Sequence, residues 1–332
     1  MDLSIIIVNW KSSGFLKDCL SSIVATTRGL DYEIVVVDNA SEPAACLELA
    51  ANKPEIKVIC SDRNLGFAGA NNLGLQHASA DRILFLNPDT VVLDKAIHVM
   101  VKALESSPDI GAVGCRLLNS DRSLQTTCVQ PFPTLINQLL GIGWLQRATP
   151  RLQLWGIQAL FSAADAAPQD VDVISGACLM ATRSVLDGVS GFSTDYFMYA
   201  EEVDLCCKIR RAGKRVCYVG GGEIIHFGGQ SSKERGSTFS DVVMRESVYT
   251  LLGKFKGAGY ARAYRVLILL SALLRLSLLV AIKPITRFTS WPISAESAGS
   301  GIRKWVKIAR WSLTLEPWVN ELNQTHSTPP AL

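Results

Sequence analysis

Charge is scarce in this chain, and the usual cofactor punctuation is missing. Charged residues make up 19% of its 332 positions, against 48% hydrophobic ones. That balance excludes a disordered chain, which could not bury enough apolar surface to offset its ordering, and it points toward membrane contact. The formal net charge of +3 is too small to argue for nucleic acid as a partner. None of the nine cysteines stands in a metal-type CxxC pair. Cys206 and Cys207 are adjacent, and Cys60 and Cys115 sit in apolar surroundings, so free, mostly buried thiols in a reducing compartment are expected. No GxGxxG fingerprint is found, in the glycines of residues 64–72 or in Gly220-Gly221-Gly222, which disfavours a dinucleotide-dependent oxidoreductase. Met1-Asp2-Leu3 leads directly into a strand pattern without a basic n-region, giving the expectation of cytosolic exposure. There is no internal repeat.

What the chain does have is alternation. Residues 3–8 form a continuous apolar run ending at Asn9, the pattern of a buried parallel strand. Residues 15–24 carry apolar positions at helical spacing, and a second strand over 32–37 stops at Asp38-Asn39. A helical stretch at 44–51 precedes a third strand at 56–60. A glycine-containing loop at 64–69, a helix at 71–78 and a fourth strand at 82–86 follow, ending in Asn87-Pro88-Asp89. This order predicts an α/β fold with a doubly wound, mostly parallel sheet. Ligands of such sheets bind outside the carboxyl ends of the strands, where Asn9, Asp38, Asn39 and Asp89 all fall. Residues 130–170, with Pro131, Pro133, Pro150 and Pro168, read as a variable insertion. Residues 171–181 return to strand character around Ser175-Gly176-Ala177, and 202–212 read as a helix.

Several of these residues suit chemistry as well as structure. Asp38 can accept hydrogen bonds from a base or ribose and Asn39 can pair with a base edge, although either could simply make a turn or cap. In the 64–72 segment, Gly66 and Gly69 let backbone approach a ligand, with Asn64 and Asn71 beside them. Asp89, after a rigid proline, can reach a metal bridging a diphosphate, since Mg²⁺ takes few protein ligands beside phosphate oxygens. An ordinary Asn-Pro-Asp turn is the competing reading. Three carboxylates within four residues, Glu201, Glu202 and Asp204, repel one another and tend to create a base. Glu201 and Asp204 share a helix face while Glu202 points elsewhere. The aromatic lead-in Tyr196-Phe197-Met198-Tyr199 argues against a solvated helix start. His226, between an apolar strand end and Phe227-Gly228-Gly229, can offer a neutral imidazole to a metal. His77, His98 and His326 lack that setting and are expected to be structural or exposed.

Taken in order, these pieces resemble the family 2 glycosyltransferases of the GT-A fold, and within them the rhamnosyltransferase-like branch of bacterial polysaccharide assembly. The matching segments run from Ile5-Ile6-Ile7-Val8-Asn9-Trp10 through Val37-Asp38-Asn39, Asn64-Leu65-Gly66-Phe67-Ala68-Gly69-Ala70-Asn71 and Asn87-Pro88-Asp89-Thr90. They continue through Ser175-Gly176-Ala177, Gly191-Phe192 and Glu201-Glu202-Val203-Asp204 to His226-Phe227-Gly228-Gly229. The resemblance implies a nucleotide-diphospho-sugar transferase in which Asp38 binds the nucleotide. Asp89 would bind Mg²⁺ or Mn²⁺ with His226 as second ligand. Asn87 stands where the family's DxD-like motif has its first aspartate. Glu202 occupies the place of the family's base, with Glu201 as the alternative and Asp204 in support. It further implies an inverting transfer, most naturally from dTDP-rhamnose, with a UDP- or GDP-sugar as the alternative donor. The acceptor would be a polyprenyl-diphosphate-linked saccharide, and the setting the cytoplasmic face of the inner membrane. A non-catalytic scaffold on a decayed transferase fold is the competing class, and the oligomeric state is left open.

A catalytic domain is expected over residues 1–250, with a nucleotide-sugar half over 1–125 and an acceptor half over 126–250, followed by a helical membrane-surface segment over 251–332. From Lys254 onward basic residues far outnumber acidic ones. Residues 266–282 are apolar apart from Arg275 and two serines. About 17 apolar residues is the short limit for a bilayer span, so a helix lying in the interface is expected.

Overall fold

The computed structural model describes residues 1–41, 56–140, 148–163, 167–228, 237–282, 295–316 and residue 319. The chain divides into two compact units. The first comprises Met1–Phe132, Gln146–Tyr196 and Glu201–Ser231; the second comprises Pro133–Leu145, Phe197–Ala200 and Ser232–Leu332. The boundary expected at residue 250 falls inside a helix, Ser237–Lys256.

In the first unit, strands and helices alternate as β1 (Leu3–Asn9), α1 (Ser13–Thr26), β2 (Tyr32–Asn39), β3 (Lys57–Ser61), α2 (Gly66–His77) and β4 (Arg82–Leu86). There follow β5 (Thr90–Val92), α3 (Ala96–Glu105), β6 (Ile110–Leu118) and β7 (Val129–Gln130). Helix α4 (Leu135–Leu140) belongs to the second unit. The first resumes with β8 (Gln169–Asp170), β9 (Val173–Ile174), β10 (Cys178–Thr182), α5 (Arg183–Gly188), α6 (Glu201–Arg211) and β11 (Arg215–His226). The main sheet runs β3-β2-β1-β4-β10-β6-β11-β5, with β8 on β11. β1, β2, β3 and β4 pair parallel, as do β6 and β11. β10 is antiparallel between β4 and β6.

The physical reason for this layering is written in β1. Ile5, Ile6 and Ile7 are consecutive and each fully buried, which requires cover on both faces of the sheet. Each such side chain contributes roughly 1.5–3 kcal/mol on burial. Helix α2 packs on β1 and β2. Helix α3 buries Ile97, Met100, Val101 and Leu104, an i, i+3, i+4, i+7 stripe, and lies against β6 and β11.

Strand register assembles the polar edge. Asn9 pairs with Asp38 across β1 and β2, and Asn39 with Ser61 across β2 and β3. β4 runs parallel to β1, so Asn87-Pro88-Asp89 emerges at the same edge. β11 meets β5 antiparallel with His226 opposite Thr90, which brings the histidine beside Asp89.

Four expectations need revision. The glycine segment is not a loop up to residue 69: α2 begins at Gly66, whose φ of 69° suits a residue without a Cβ. The strand expected over 171–181 is interrupted at Ser175-Gly176-Ala177, because the Ser175 amide turns to donate to the Cys128 carbonyl at 3.1 Å. Cys60, far from being a buried thiol, is exposed on β3 and disulfide-bonded, whereas Cys19, Cys115, Cys128, Cys178, Cys206, Cys207 and Cys217 are free. The apolar C-terminal helix is longer than its apolar stretch. The helix expected at 44–51 lies outside the described residues.

The second unit is helical. Besides α4 it contains α7 (Ser237–Lys256), α8 (Ala258–Ile282) and α9 (Ala295–Ser312), which pack on one another. α8 spans 25 residues with a mean hydropathy of 2.3 over its most apolar window, of which only 11% is buried. At 1.5 Å rise per residue it reaches about 37 Å, beyond the ~30 Å hydrocarbon thickness, so its length no longer argues for lying flat. Its inward face is ordered by a buried polar knot. Glu246 accepts hydrogen bonds from Arg265 at 3.0 Å and from Trp311 at 2.6 Å. The Arg265 guanidinium also sits 4.0 Å from the Tyr249 ring centroid and 4.8 Å from that of Trp311.

Candidate active site

Asn9 and Asp38 form one end of the polar edge. Asn9 Nδ2 donates to Asp38 Oδ1 at 2.8 Å, and the Ser41 amide donates to Asp38 Oδ2 at 3.0 Å. Asn9 Oδ1 is buried without a hydrogen-bond partner. An orphaned acceptor there costs about 1–3 kcal/mol unless a ligand donates to it.

The Asn39 side-chain amide is engaged within the fold. Its Oδ1 accepts from the Leu65 amide at 2.7 Å, and its Nδ2 donates to Asn64 Oδ1 at 3.0 Å and to the Gly66 carbonyl at 3.2 Å. Asn64 Oδ1 also accepts from the Gly66 amide at 2.9 Å. Asn39 and Asn64 are thus a clamp for the start of α2, in place of the base contact expected of Asn39. Asn71 is buried and donates to the Phe67 carbonyl one turn back, and Gly69 lets α2 pass the Leu65 side chain. Sequence reasoning passed over Asn72, which grips Phe192 twice: its Nδ2 donates to the Phe192 carbonyl at 2.8 Å and its Oδ1 accepts the Phe192 amide at 2.9 Å.

A continuous run of contacts joins the remaining predicted residues. A Cβ on Gly176 would lie 3.3 Å from Glu202 Cβ and 3.5 Å from the Phe67 ring, so only glycine lets this turn rest easily against the start of α6. The next residue, Ala177, accepts the Asn87 amide at 2.9 Å. Asn87 Nδ2 lies 3.4 Å from His226 Nε2, and the same ring nitrogen lies 3.4 Å from Asp89 Oδ1. Glu202, Gly176, Asn87, His226 and Asp89 therefore line one continuous strip.

The histidine is oriented by a residue the sequence did not flag. Gln125 Oε1 lies 2.8 Å from His226 Nδ1. Its Nε2 donates to Asn119 Oδ1 at 3.1 Å and to the His226 carbonyl at 3.3 Å, which fixes the amide with its oxygen toward the ring. A carbonyl oxygen only accepts, so Nδ1 carries a proton, and Nε2 is the ring atom that faces Asp89. A turn glutamine 101 residues away from the histidine leaves no local sequence signal.

The acidic cluster divides its work. Asp204, fully buried, accepts from Ser193 Oγ at 2.6 Å and Tyr196 Oη at 2.8 Å, with Lys208 Nζ at 3.6 Å. These contacts anchor α6 and make Asp204 a positioning residue. Glu201 is buried, and its Oε2 has no hydrogen-bond partner. Burial, and then the neighbouring Glu202 charge, push its carboxyl well above the usual range. Glu202 is half-buried, and burial raises its carboxyl too. Tyr199 and Ala200, with φ of 70° and 65°, turn the chain sharply just ahead of these glutamates.

Among the described residues no group of three or more His, Cys, Asp or Glu side chains could enclose a metal. A divalent ion would find two protein ligands, Asp89 and His226, and that donor set fits an ion completed by phosphate oxygens.

An α/β sheet of this kind takes its ligands at the polar edge formed by the strand ends. The glycosyl transferase family 2 model matches residues 4–188, and the chain belongs to that family. Its relatives include proteins named as rhamnosyltransferases. A low-salt glycan biosynthesis hexosyltransferase of Haloferax volcanii is 28% identical over 63% of this chain, which spans 62% of that relative's length. The N-acetylglucosaminyl-diphospho-decaprenol L-rhamnosyltransferase of Mycobacterium tuberculosis is 28% identical over 68% of this chain and 75% of its own. In fold, the chain is similar to the mannosyltransferase PcManGT of Pyrobaculum calidifontis, solved with GDP-Man and Mn²⁺, with a TM-score of 0.56 and 18% identity over 98% of this chain and 88% of that one.

Proposed function

We propose that this glycosyltransferase moves rhamnose from dTDP-rhamnose to a lipid-linked saccharide with inversion at the anomeric carbon. The carrying observation is the contact strip that joins the Glu201–Glu202 pair, through Gly176 and Asn87, to Asp89 and His226. Glu202 takes the proton of the acceptor hydroxyl, the oxygen attacks the anomeric carbon, and the bond to the diphosphate breaks on the opposite face. The raised affinity of Glu202 for protons makes it a stronger base than an exposed carboxylate. Glu201, deeper and unpaired, keeps the local charge low by holding its own proton. Asp38 and the unpartnered Asn9 Oδ1 receive the nucleoside. Asp89 and the Nε2 lone pair of His226 would hold Mg²⁺ or Mn²⁺, which when bound neutralises the departing diphosphate. The decaprenol-linked substrate named for the mycobacterial relative supports a lipid-linked acceptor, and the exposed apolar face of α8 supports attachment at the cytoplasmic membrane surface.

The test is thermal unfolding in the presence of dTDP-rhamnose, UDP-sugars and GDP-sugars, each with Mn²⁺. A donor at a hundred times its dissociation constant stabilises the native chain by about 2.7 kcal/mol, and dTDP-rhamnose is expected to give the largest rise. A larger rise with a UDP- or GDP-sugar reassigns the donor. Binding without nucleoside diphosphate release, with or without acceptor, returns the scaffold reading.

A further inference from the structure

Among the described residues, large apolar side chains left open to solvent gather in the second unit. On α8 they follow one face, where Val266, Leu270, Leu273, Leu274 and Leu278 recur at helical spacing and all are exposed. Ala261, Tyr264, Ile268 and Ala272 of the same helix are buried, and α7 and α9 pack on it. A second group stands far upstream in sequence, on α4. Ile136, Leu139 and Leu140 form an i, i+3, i+4 face, and Ile136 is 62% exposed, as open as Leu274 at 63%. The first turn of α4 is closed by its own polar groups. The Thr134 amide donates to Asn137 Oδ1 at 2.8 Å, and the Asn137 amide donates to Thr134 Oγ1 at 3.2 Å. α4 packs on α8, and the Leu135 amide donates to Tyr260 Oη of that helix at 3.0 Å. Gln138 Oε1 accepts from Arg245 of α7 at 3.1 Å. The polar groups of α4 are spent on the other helices of the unit, and its apolar side chains are left outward.

We propose that α4 and α8 form one lipid-facing surface, so that α4, from the middle of the chain, enters the bilayer interface beside α8. The inference rests on the membrane attachment read from α8 and extends it to α4. Exposed apolar surface of this extent marks a docking face, and either a bilayer or a second copy of this chain could cover it. Charge decides between them. Neither helix contains an Asp or Glu, whereas α8 contains Arg262, Arg265 and Arg275. Arg265 is paired inward with Glu246, while Arg262 is exposed one turn ahead of Val266. A two-fold contact would set this face against itself, cation toward cation, with no carboxylate on either helix to answer. An anionic headgroup layer answers the arginine while the acyl chains take the leucines. The second footing has a mechanical consequence. A single apolar helix can roll about its own axis at an interface, and a contact beside it removes that freedom, fixing which way the second unit faces the lipid.

The experiment uses the full chain and vesicles of phosphatidylcholine with phosphatidylglycerol, read by co-sedimentation. Ile136→Ser combined with Leu139→Ser is expected to weaken binding about tenfold, since two apolar side chains no longer leave water. Leu270→Ser with Leu274→Ser, on α8, should weaken it at least as much. Leu152→Ser, which removes an exposed leucine of the first unit, should bind as wild type. An equal loss in Leu152→Ser would mean that α4 has no special part, and overturns the inference. Thermal unfolding checks that each variant is folded. Should the α4 pair fail to fold, Ile136→Ala with Leu139→Ala favours the helix and is expected to lose several-fold. Wild-type binding by folded α4 variants overturns the inference, and loss confined to the α8 variant then leaves the α8 attachment standing. No binding by the wild-type chain sinks both. A wild-type dimer in light scattering that the α4 substitutions split into monomers puts a second copy in the place of lipid, and likewise overturns it.

Discussion

Glu201 and Glu246 are equally hidden, each 6% exposed, and their surroundings could hardly differ more. Glu246, among the helices of the second unit, is held by Arg265 and the Trp311 indole. Glu201, at the start of α6 in the first unit, has an oxygen with no partner and a like charge next to it. Structure alone accounts for the first, since a buried carboxylate held by a guanidinium and an indole N–H is an ordinary solution to helix packing. Nothing structural accounts for the second, which the fold tolerates at a cost. Asn9 Oδ1, at the β1 end of the polar edge, is likewise a buried atom without a partner, although such atoms also occur elsewhere in the fold, Arg265 Nε of the knot included.

The largest effect expected is on metal. Excess chelator should abolish transfer, and Mn²⁺ or Mg²⁺ should restore it. Full activity in chelator would remove Asp89 and His226 from the metal role. The next effect tests the glutamate contrast itself. Glu246→Gln leaves Arg265 without its counter-charge and should cost about 3–5 kcal/mol in denaturant unfolding, the usual loss when one partner of a buried pair is removed. An unchanged midpoint would mean the knot does not order the helical unit. Gln125→Ala should weaken metal binding, measured by titration calorimetry, by about 10–100-fold while leaving the fold intact, as loss of a partner orienting a histidine ligand does. Unchanged affinity would mean that the His226 tautomer is set otherwise.

The smallest effect has the opposite sign to that of Glu246. Above the ordinary glutamate value of about 4.3, the native chain holds a proton at Glu201 that the unfolded chain has released, so stability falls as pH rises toward the elevated native value. Glu201→Gln mimics the protonated form without needing the proton. Its unfolding temperature should match wild type near pH 4 and exceed it by about 2–4 °C at pH 8, the shift worth roughly 1 kcal/mol in a chain of this size. A lower temperature at pH 8 would show that Glu201 is paired in solution.

How much of this could be read in advance depended on range. The parallel strands were legible because Ile5, Ile6 and Ile7 have no polar face to offer solvent, and the strand ends placed Asp89 and His226 on one edge. Asn39 was misjudged because its partners, Asn64 to Gly66, lie 25 to 27 residues away, and sequence does not reveal which strand-end amide is already spent. Gln125 and Asn72 were missed for the same reason, their partners being 101 and 120 residues distant. The length of α8 was underestimated because Arg262 and Arg265 interrupt the apolar run, although arginine is a good helix former and Arg265 is paired inward.

The central claim, that Glu202 of the acidic pair carries the chemistry, is tested most directly by Glu202→Gln, with transfer and donor binding measured on the same preparation. The account predicts a fall in turnover of roughly two to four orders of magnitude, with the thermal shift produced by the donor unchanged. Turnover near wild type in Glu202→Gln, with the loss appearing in Glu201→Gln instead, would contradict it.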